Sequence, residues 1–350
     1  MTGSFPLLTL SLLAVFILAA VLTWLIARIS HKRNALAYPN SRSSHRIPTP
    51  HGGGIAFTMV SLLLAGVFAA FGWAPTWSMV VFVLLGSTML LLGVWDDFKT
   101  ISPRWRLCVH LVVVILALWS LPGMPTLYVF GSFLDTAELV WTWPLLVLGW
   151  VWLINLYNFM DGIDGLAASQ AIVLLAAMTF IFYYFGYPEW SLICAFMLAA
   201  VLGFAVLNWA PARIFMGDGG SGFLGFIIGF LILLSATQTQ VSVWSWLIML
   251  LLFIADATTT LAVRFVTGQK IFDAHRLHAY QKLSDRANGR HDVVTLGFIC
   301  VMLFVLLPAA FMANALHHSG FWLFSALFAA FSLLALFLGA GRQQGGNTIK

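Results

Sequence analysis

Pro144-Leu-Leu-Val-Leu-Gly-Trp150-Val-Trp-Leu-Ile-Asn155-Leu-Tyr-Asn158-Phe-Met-Asp161-Gly-Ile-Asp164-Gly165-Leu-Ala167 is an apolar run that ends in amide and carboxylate side chains at a spacing of three. The apolar half predicts a helix inside a membrane. The polar half predicts one stripe where that helix reaches the surface, because residues three apart share a helix face. The glycine after each Asp lets the backbone turn and lets a ligand come close. Two carboxylates gathered at a membrane edge point to a metal ion and a phosphorylated ligand.

The rest of the 350-residue chain extends the first half of that reading. It is 61% hydrophobic and 8% charged, with a mean hydropathy of +0.96, which excludes a soluble globule. Runs of roughly 18 or more apolar residues span a bilayer as helices. Eleven are expected, at about 6–29, 54–71, 77–94, 107–121, 140–157, 164–185, 190–207, 220–236, 244–266, 294–315 and 320–340. The first reads as a retained anchor rather than a cleaved signal. The expected fold is therefore an all-α integral membrane protein, with residues 1–350 as one polytopic domain.

All 17 Lys and Arg residues fall in or beside segments 28–52, 95–106, 208–218, 264–293 and the tail from Arg342. By the positive-inside rule these are cytoplasmic, so the N-terminus lies outside and the C-terminus inside. The net charge of +5 is then a signal of topology, not a footprint for nucleic acid. Nine of the twelve acidic residues, all Asp, share that inner side. Cys108, Cys194 and Cys300 have no paired or metal-type spacing and read as small buried apolar residues. The outer segment Thr126–Asp135 is either a small hairpin or a plain loop.

The inner segments carry the chemistry. Arg42-Ser-Ser-His45-Arg46-Ile-Pro48-Thr-Pro50-His51-Gly52-Gly53-Gly54 is an extended, basic stretch whose glycines open a helix and could offer free N–H groups to an anion. Asp96-Asp97 is followed by Lys99, Arg104 and Arg106. Neighbours on a helix diverge by about 100°, so one carboxylate can meet a substrate while the other holds a neighbour or metal. Pro211-Ala-Arg213-Ile-Phe215-Met216-Gly217-Asp218-Gly219-Gly220-Ser221 sets a carboxylate among glycines at a helix start, which suits Mg²⁺ beside a diphosphate. In Asp273-Ala-His275-Arg276-Leu-His278-Ala-Tyr280-Gln281, phosphate or sugar contact is favoured over a metal site. Asp256 and Arg264, two turns apart, suggest a buried polar link.

The succession RSSHRIPTPHGGG, GVWDD, NLYNFMDGIDGLA, PARIFMGDGGS, Asp256…Arg264 and DAHRLHAYQ, from about Pro39 to Gln281, resembles the polyprenyl-phosphate N-acetylhexosamine-1-phosphate transferase family, in its O-antigen and capsule-initiating branch. The chain departs from the family pattern in HRLHAYQ, where three successive histidines are usual, and in the glycine between Gly217-Asp218 and Gly220-Ser221. The resemblance implies attack of undecaprenyl phosphate on a UDP-N-acetylhexosamine or a 6-deoxy relative, releasing UMP at the cytoplasmic face of a bacterial inner membrane. By matching motifs, Asp218 and Asn158 would hold Mg²⁺ (or Mn²⁺). Asp97, with Asp96, would act on the lipid phosphate. Asn155, Asp161, Asp164 and Phe215 would bind the nucleotide. His275, Arg276 and His278 would contact diphosphate or sugar, and Arg42, Lys99 or Arg106 the lipid phosphate. Membrane lipid is a further partner, nucleic acid is not, and a homodimer is left open. The rival class, a transporter or flippase, would place ionisable groups near the bilayer midplane. Here Asp256 alone lies inside a span and the others crowd one surface, which favours a one-sided enzyme.

Overall fold

The computed structural model describes residues 4–38, 47–130, 132–135, 142–270, 273 and 275–343. It is nearly all-helical. The elements are α1 Ser4–Lys32, β1 Leu36–Ala37, β2 Thr49–Pro50, α2 Gly54–Ala70, α3 Thr76–Phe98, α4 Pro103–Trp119, β3 Thr126–Val129, β4 Ser132–Asp135, α5 Thr142–Met160, α6 Leu166–Tyr184 and α7 Pro188–Asn208. They continue as α8 Asp218–Gln238, α9 Val243–Met249, α10 Leu251–Val266, α11 Ala279–Arg286, α12 His291–Val301, α13 Leu307–Ala315 and α14 Gly320–Leu338. Every one of the expected apolar runs is helical. Among the described residues, eight helices are long and apolar enough to cross a membrane, and the α9–α10 pair, bent by 69°, makes nine if it counts as one span. α2, at 17 residues, is shorter.

One break has a plain cause. Pro308 has no N–H to give and its ring crowds the preceding turn, so α12 reaches α13 through a π-helical segment, Met302–Leu306. The segment Thr126–Asp135 does pair as a two-stranded hairpin, with Val129 opposite Ser132.

α8 is the hub. Its whole span is buried inside the protein, whereas α14 and α1 present their apolar side chains outward, as lipid-facing helices do. Lipid offers no hydrophobic drive for helices to associate, so close backbone approach and side-chain hydrogen bonds carry the packing. Gly225 and Gly229 of α8 serve that end. A Cβ at Gly225 would fall 2.5 Å from the Cα of Ile154, and one at Gly229 2.2 Å from Trp150 Nε1. Trp150 then donates that Nε1–H to the carbonyl of Phe226 at 3.1 Å.

Three expectations are corrected. Cys194 is buried, but Cys108 and Cys300 are exposed, on outward faces of α4 and α12. The polar stripe is not one helix face: α5 ends at Met160, and Asp161 and Asp164 lie in the turn that Gly165, at φ +73°, closes before α6. Asp256 and Arg264 bond to different partners. Asp256 accepts the N–H groups of Ala279 and Tyr280, each at 2.9 Å, and so caps α11 from α10. Arg264 donates to the carbonyls of Lys270 and Asp273.

Candidate active site

The ends of α3, α4, α5 and α8 meet at one end of the bundle, and the geometry there begins with two glycine pairs. A Cβ at Gly93 of α3 would fall 2.4 Å from the Cα of Gly219, and one at Gly54 of α2 2.3 Å from the Cα of Gly220. Only bare backbones fit at these two crossings. As a result the first turn of α8 touches the last turn of α3, and Asp97 Oδ1 accepts the N–H of Asp218 at 2.9 Å. A carboxylate at a helix N-terminus is favoured by the orphan N–H groups and the dipole.

The adjacent carboxylates diverge as helix geometry demands. Asp96 turns away and accepts from Arg106 Nη1 at 2.5 Å and from the N–H of Ile101 at 2.6 Å. Asp97 turns inward, its Oδ2 3.5 Å from His51 Nδ1. Arg106 of α4 also donates to Asp218 Oδ2 at 3.1 Å, and Asn158 of α5 donates to Asp218 Oδ1 at 2.8 Å.

His51 is delivered by backbone stitching. The N–H groups of Gly53 and Gly54 go to the carbonyls of Phe215 and Met216, and Phe215 N–H goes to the Pro50 carbonyl, each at 2.9 Å. The N–H groups of those two glycines are thus spent on the fold rather than open to an anion. Asp164 braces the same segment: its Oδ2 accepts the N–H of Ala212 at 3.0 Å, while Oδ1 lies 3.4 Å from His291 Nδ1.

These contacts enclose a cleft of about 250 Å³. Asn158, Asp161, Asp164, Phe215 and Asp218, five of the expected residues, line it together with His51, Asn208, Gln281 and His291. Enclosure on the protein side, with the negative charges of Asp218, Asp97 and Asp164, pushes the Asp161 carboxyl well above the usual carboxylate range, against the pull of His51. Burial works against a charge on His51, but its contact with Asp97 and the nearby Asp218 and Asp161 outweigh it and raise its pKa above the ordinary value. When ionised, the carboxyls of Asp97, Asp161, Asp164 and Asp218 outnumber Arg106, His51 and His291 beside them.

The remaining expected residues lie elsewhere. Asn155 is one turn back on α5 and donates to the carbonyl of Val151 at 2.7 Å. Lys99 is exposed where α3 ends. Arg42 is outside the described residues. His275, Arg276 and His278 do not line the cleft. His278 is 2% exposed, with Nδ1 3.2 Å from Asp256, and Arg276 pairs with Asp285 at 2.6 Å. Burial and the nearby His278 and Arg264 charges pull His275 down to about 3. His51 was visible beside the glycines of its loop, and Gln281 closes the HRLHAYQ stretch. Nothing local marks His291, which meets Asp164 across 127 positions of sequence.

Comparison with known proteins agrees with this arrangement. The sequence profile of glycosyl transferase family 4 matches residues 79–236, which include both aspartates of α3, Asn158 and Asp218. A probable undecaprenyl-phosphate N-acetylglucosaminyl 1-phosphate transferase of Bacillus subtilis is 30% identical over 75% of this chain and 73% of its own length. Phospho-N-acetylmuramoyl-pentapeptide-transferases are similar too. That of a Synechococcus strain is 33% identical over 67% of this chain and 71% of its own, and that of Streptococcus pneumoniae 30% over 67% and 74%. The chain belongs to the polyprenyl-phosphate hexosamine-1-phosphate transferase family.

Proposed function

We propose that the chain moves an N-acetylhexosamine 1-phosphate, or that of a 6-deoxy relative, from a UDP-sugar to undecaprenyl phosphate, forming the lipid-diphosphate-sugar and UMP. In this reading it begins a cell-surface polysaccharide such as an O-antigen. The observation that carries it is the convergence of Asp161, Asp218 and Asn158 on one cleft at one end of the bundle, with Asp97 bonded to the Asp218 N–H and beside His51. A transporter has no use for carboxylates confined to one end. Breaking one diphosphate link and forming another is close to thermoneutral, so the protein must supply positioning and charge neutralisation.

The donor set suits a hard cation: the groups are carboxylate and amide oxygens, and the carboxyls there outnumber the cations. Among the described residues no three His, Cys, Asp or Glu side chains form a ready cage. Asp218 and Asn158 would hold Mg²⁺ (or Mn²⁺), since Mg²⁺ is usually bound by one or two carboxylates together with substrate phosphates. When bound, such an ion would neutralise diphosphate charge and polarise the attacked phosphorus. Asp97 positions the acceptor phosphate, and as a phosphate monoester with a second pKa near 6 it needs little help from a base. Direct attack is therefore preferred over an aspartyl-phosphate intermediate. Phe215 offers a ring to uracil, Asp161 faces the nucleotide, and Asp164 steadies the segment that carries Phe215. Arg106 holds Asp96 and Asp218 in place, leaving the acceptor phosphate to Arg42 of the first inner segment and Lys99 of the second. The test is a panel of UDP-N-acetylhexosamines with undecaprenyl phosphate and purified protein. UMP should appear only when both substrates are present, and a preparation that releases none with any donor defeats the proposal.

The same reading takes all eleven apolar segments as spans, the N-terminus outside, and the cleft on the cytoplasmic face of the inner membrane. In a variant whose native cysteines are replaced by Ser, Ser132→Cys should react with an impermeant thiol reagent in intact cells. Asn288→Cys, also at an exposed position, should react only after lysis. Labelling of Asn288→Cys from outside would reverse the orientation.

A further inference from the structure

α11 is an eight-residue helix, too short to be stable without packing. Its Ala279 and Leu283, with Ala287 just past its end, line an apolar cavity of about 480 Å³, within the roughly 300–1,000 Å³ typical of small-molecule sites. The cavity exists because α14 packs on α10 while α12 packs on α6, so α12 and α14 diverge beneath α11. Val293 of α12 and Leu334 of α14, at 43% and 47% exposure, stand at its sides and face outward. One wall is bare: a Cβ at Gly297 would meet nothing within 4 Å.

Above this apolar space, sharing Arg286 and Leu338 with it, is a second cavity lined by Lys282, Arg286 and Arg342. Its one acid, Asp285, is already paired with Arg276 at 2.6 Å. The deeper Asp256 in the apolar cavity has both oxygens engaged by α11, so neither acid neutralises the three cations. Lys282 is 9% exposed. Burial first, then the charges of Arg276 and Arg286, pull its pKa below the ordinary value despite Asp285.

We infer that this paired cavity is a binding site for an anionic membrane phospholipid, its phosphate on Lys282, Arg286 and Arg342 and an acyl chain between α12 and α14 under α11. Charge complementarity selects an anionic headgroup over a zwitterionic one. The acceptor is a lipid phosphate as well, but its phosphate must reach Asp97, and neither cavity shares a lining residue with the cleft. The site matters to the cleft because α11 also carries Gln281, a cleft residue, and Tyr280, whose hydroxyl donates to the carbonyl of Phe159 at 2.9 Å. A bound chain would complete the packing of α11 and hold both in place.

The test is native mass spectrometry of the purified, delipidated full chain titrated with phosphatidylglycerol or phosphatidylcholine of matched chains. One phosphatidylglycerol should bind saturably and at least about tenfold more tightly than phosphatidylcholine. Arg286→Gln with Arg342→Gln, two exposed positions, should weaken phosphatidylglycerol about thirtyfold, the change expected on losing two cations at a lipid phosphate, and leave phosphatidylcholine unchanged. Gly297→Phe, at a lining position where an added Cβ meets open space, should block the site while keeping the unfolding temperature of the lipid-free protein. Equal affinity for the two lipids overturns the proposal, as does full phosphatidylglycerol binding by Gly297→Phe. Displacement of phosphatidylglycerol by undecaprenyl phosphate would also overturn it, since the site would then be the acceptor's. Binding is read directly, so the result is independent of the transferase reaction.

Discussion

Asp218→Asn is expected to lower sugar-phosphate transfer about a hundredfold or more, the scale seen when one preorganised charge is removed from a developing transition state. The substitution keeps the side-chain shape and leaves the backbone N–H that Asp97 accepts, so α8 should still start where it does. What it removes is the negative charge shared between Arg106 and Asn158. The requirement for added Mg²⁺ should shift upward, because a neutral amide is a weaker ligand than a carboxylate. Asp97→Asn is a matched comparison. Its Oδ1 can still accept the Asp218 N–H, so turnover should fall while UDP-sugar binding, measured by calorimetry, stays nearly intact. Wild-type turnover and Mg²⁺ dependence in Asp218→Asn would remove Asp218 from the metal site.

Gly93→Val is expected to abolish most activity without altering any group in the cleft. The new Cβ would lie 2.4 Å from both the Cα and the N of Gly219 and 2.5 Å from the Asp218 carbonyl carbon. All three are backbone atoms, so no side chain can swing aside and α3 must part from α8. Overpacking of this kind costs about 1–3 kcal/mol, and more where backbone must move. The separation breaks the contact of Asp97 with Asp218, and a displacement of about 1 Å at reacting groups can cost about a hundredfold in rate. Gly66→Ala is the control, since a Cβ there meets open space and should change neither rate nor unfolding temperature. Gly93→Val with wild-type activity and stability would show that the crossing is slack.

The two predictions divide along the line between what is local and what is not. Hydropathy, the segregation of Lys and Arg, and the runs ending in Asp are properties of contiguous segments. The helices and the end of each that carries polar groups were therefore legible from the chain alone. So was the divergence of Asp96 from Asp97, because helix geometry imposes it on any neighbouring pair. The motif order that marks the family is likewise one-dimensional, and five of the expected residues do line one cleft.

The stopping point of α5 was less legible. The spacing of three continued through Asp161 and Asp164, but α5 stops at Met160 and Gly165, in the left-handed region, closes the turn into α6, a conformation settled by what packs on the turn. Arg106 looked like a ligand for phosphate, yet it is held by Asp96 and by Asp218, 112 positions away. His278 looked available and is buried against Asp256. His291 carried no signal, and it reaches Asp164 only because α12 packs on α6. The sequence by itself determined the helices, their polar ends and the residue types of the site. Only the tertiary structure decided which carboxylate faces the cleft, which cations are already spent, and that bare glycine crossings bring α3 and α8 together. The physical reason is that hydrophobic periodicity is written along one segment, whereas charge pairing and backbone approach depend on atoms that distant segments supply.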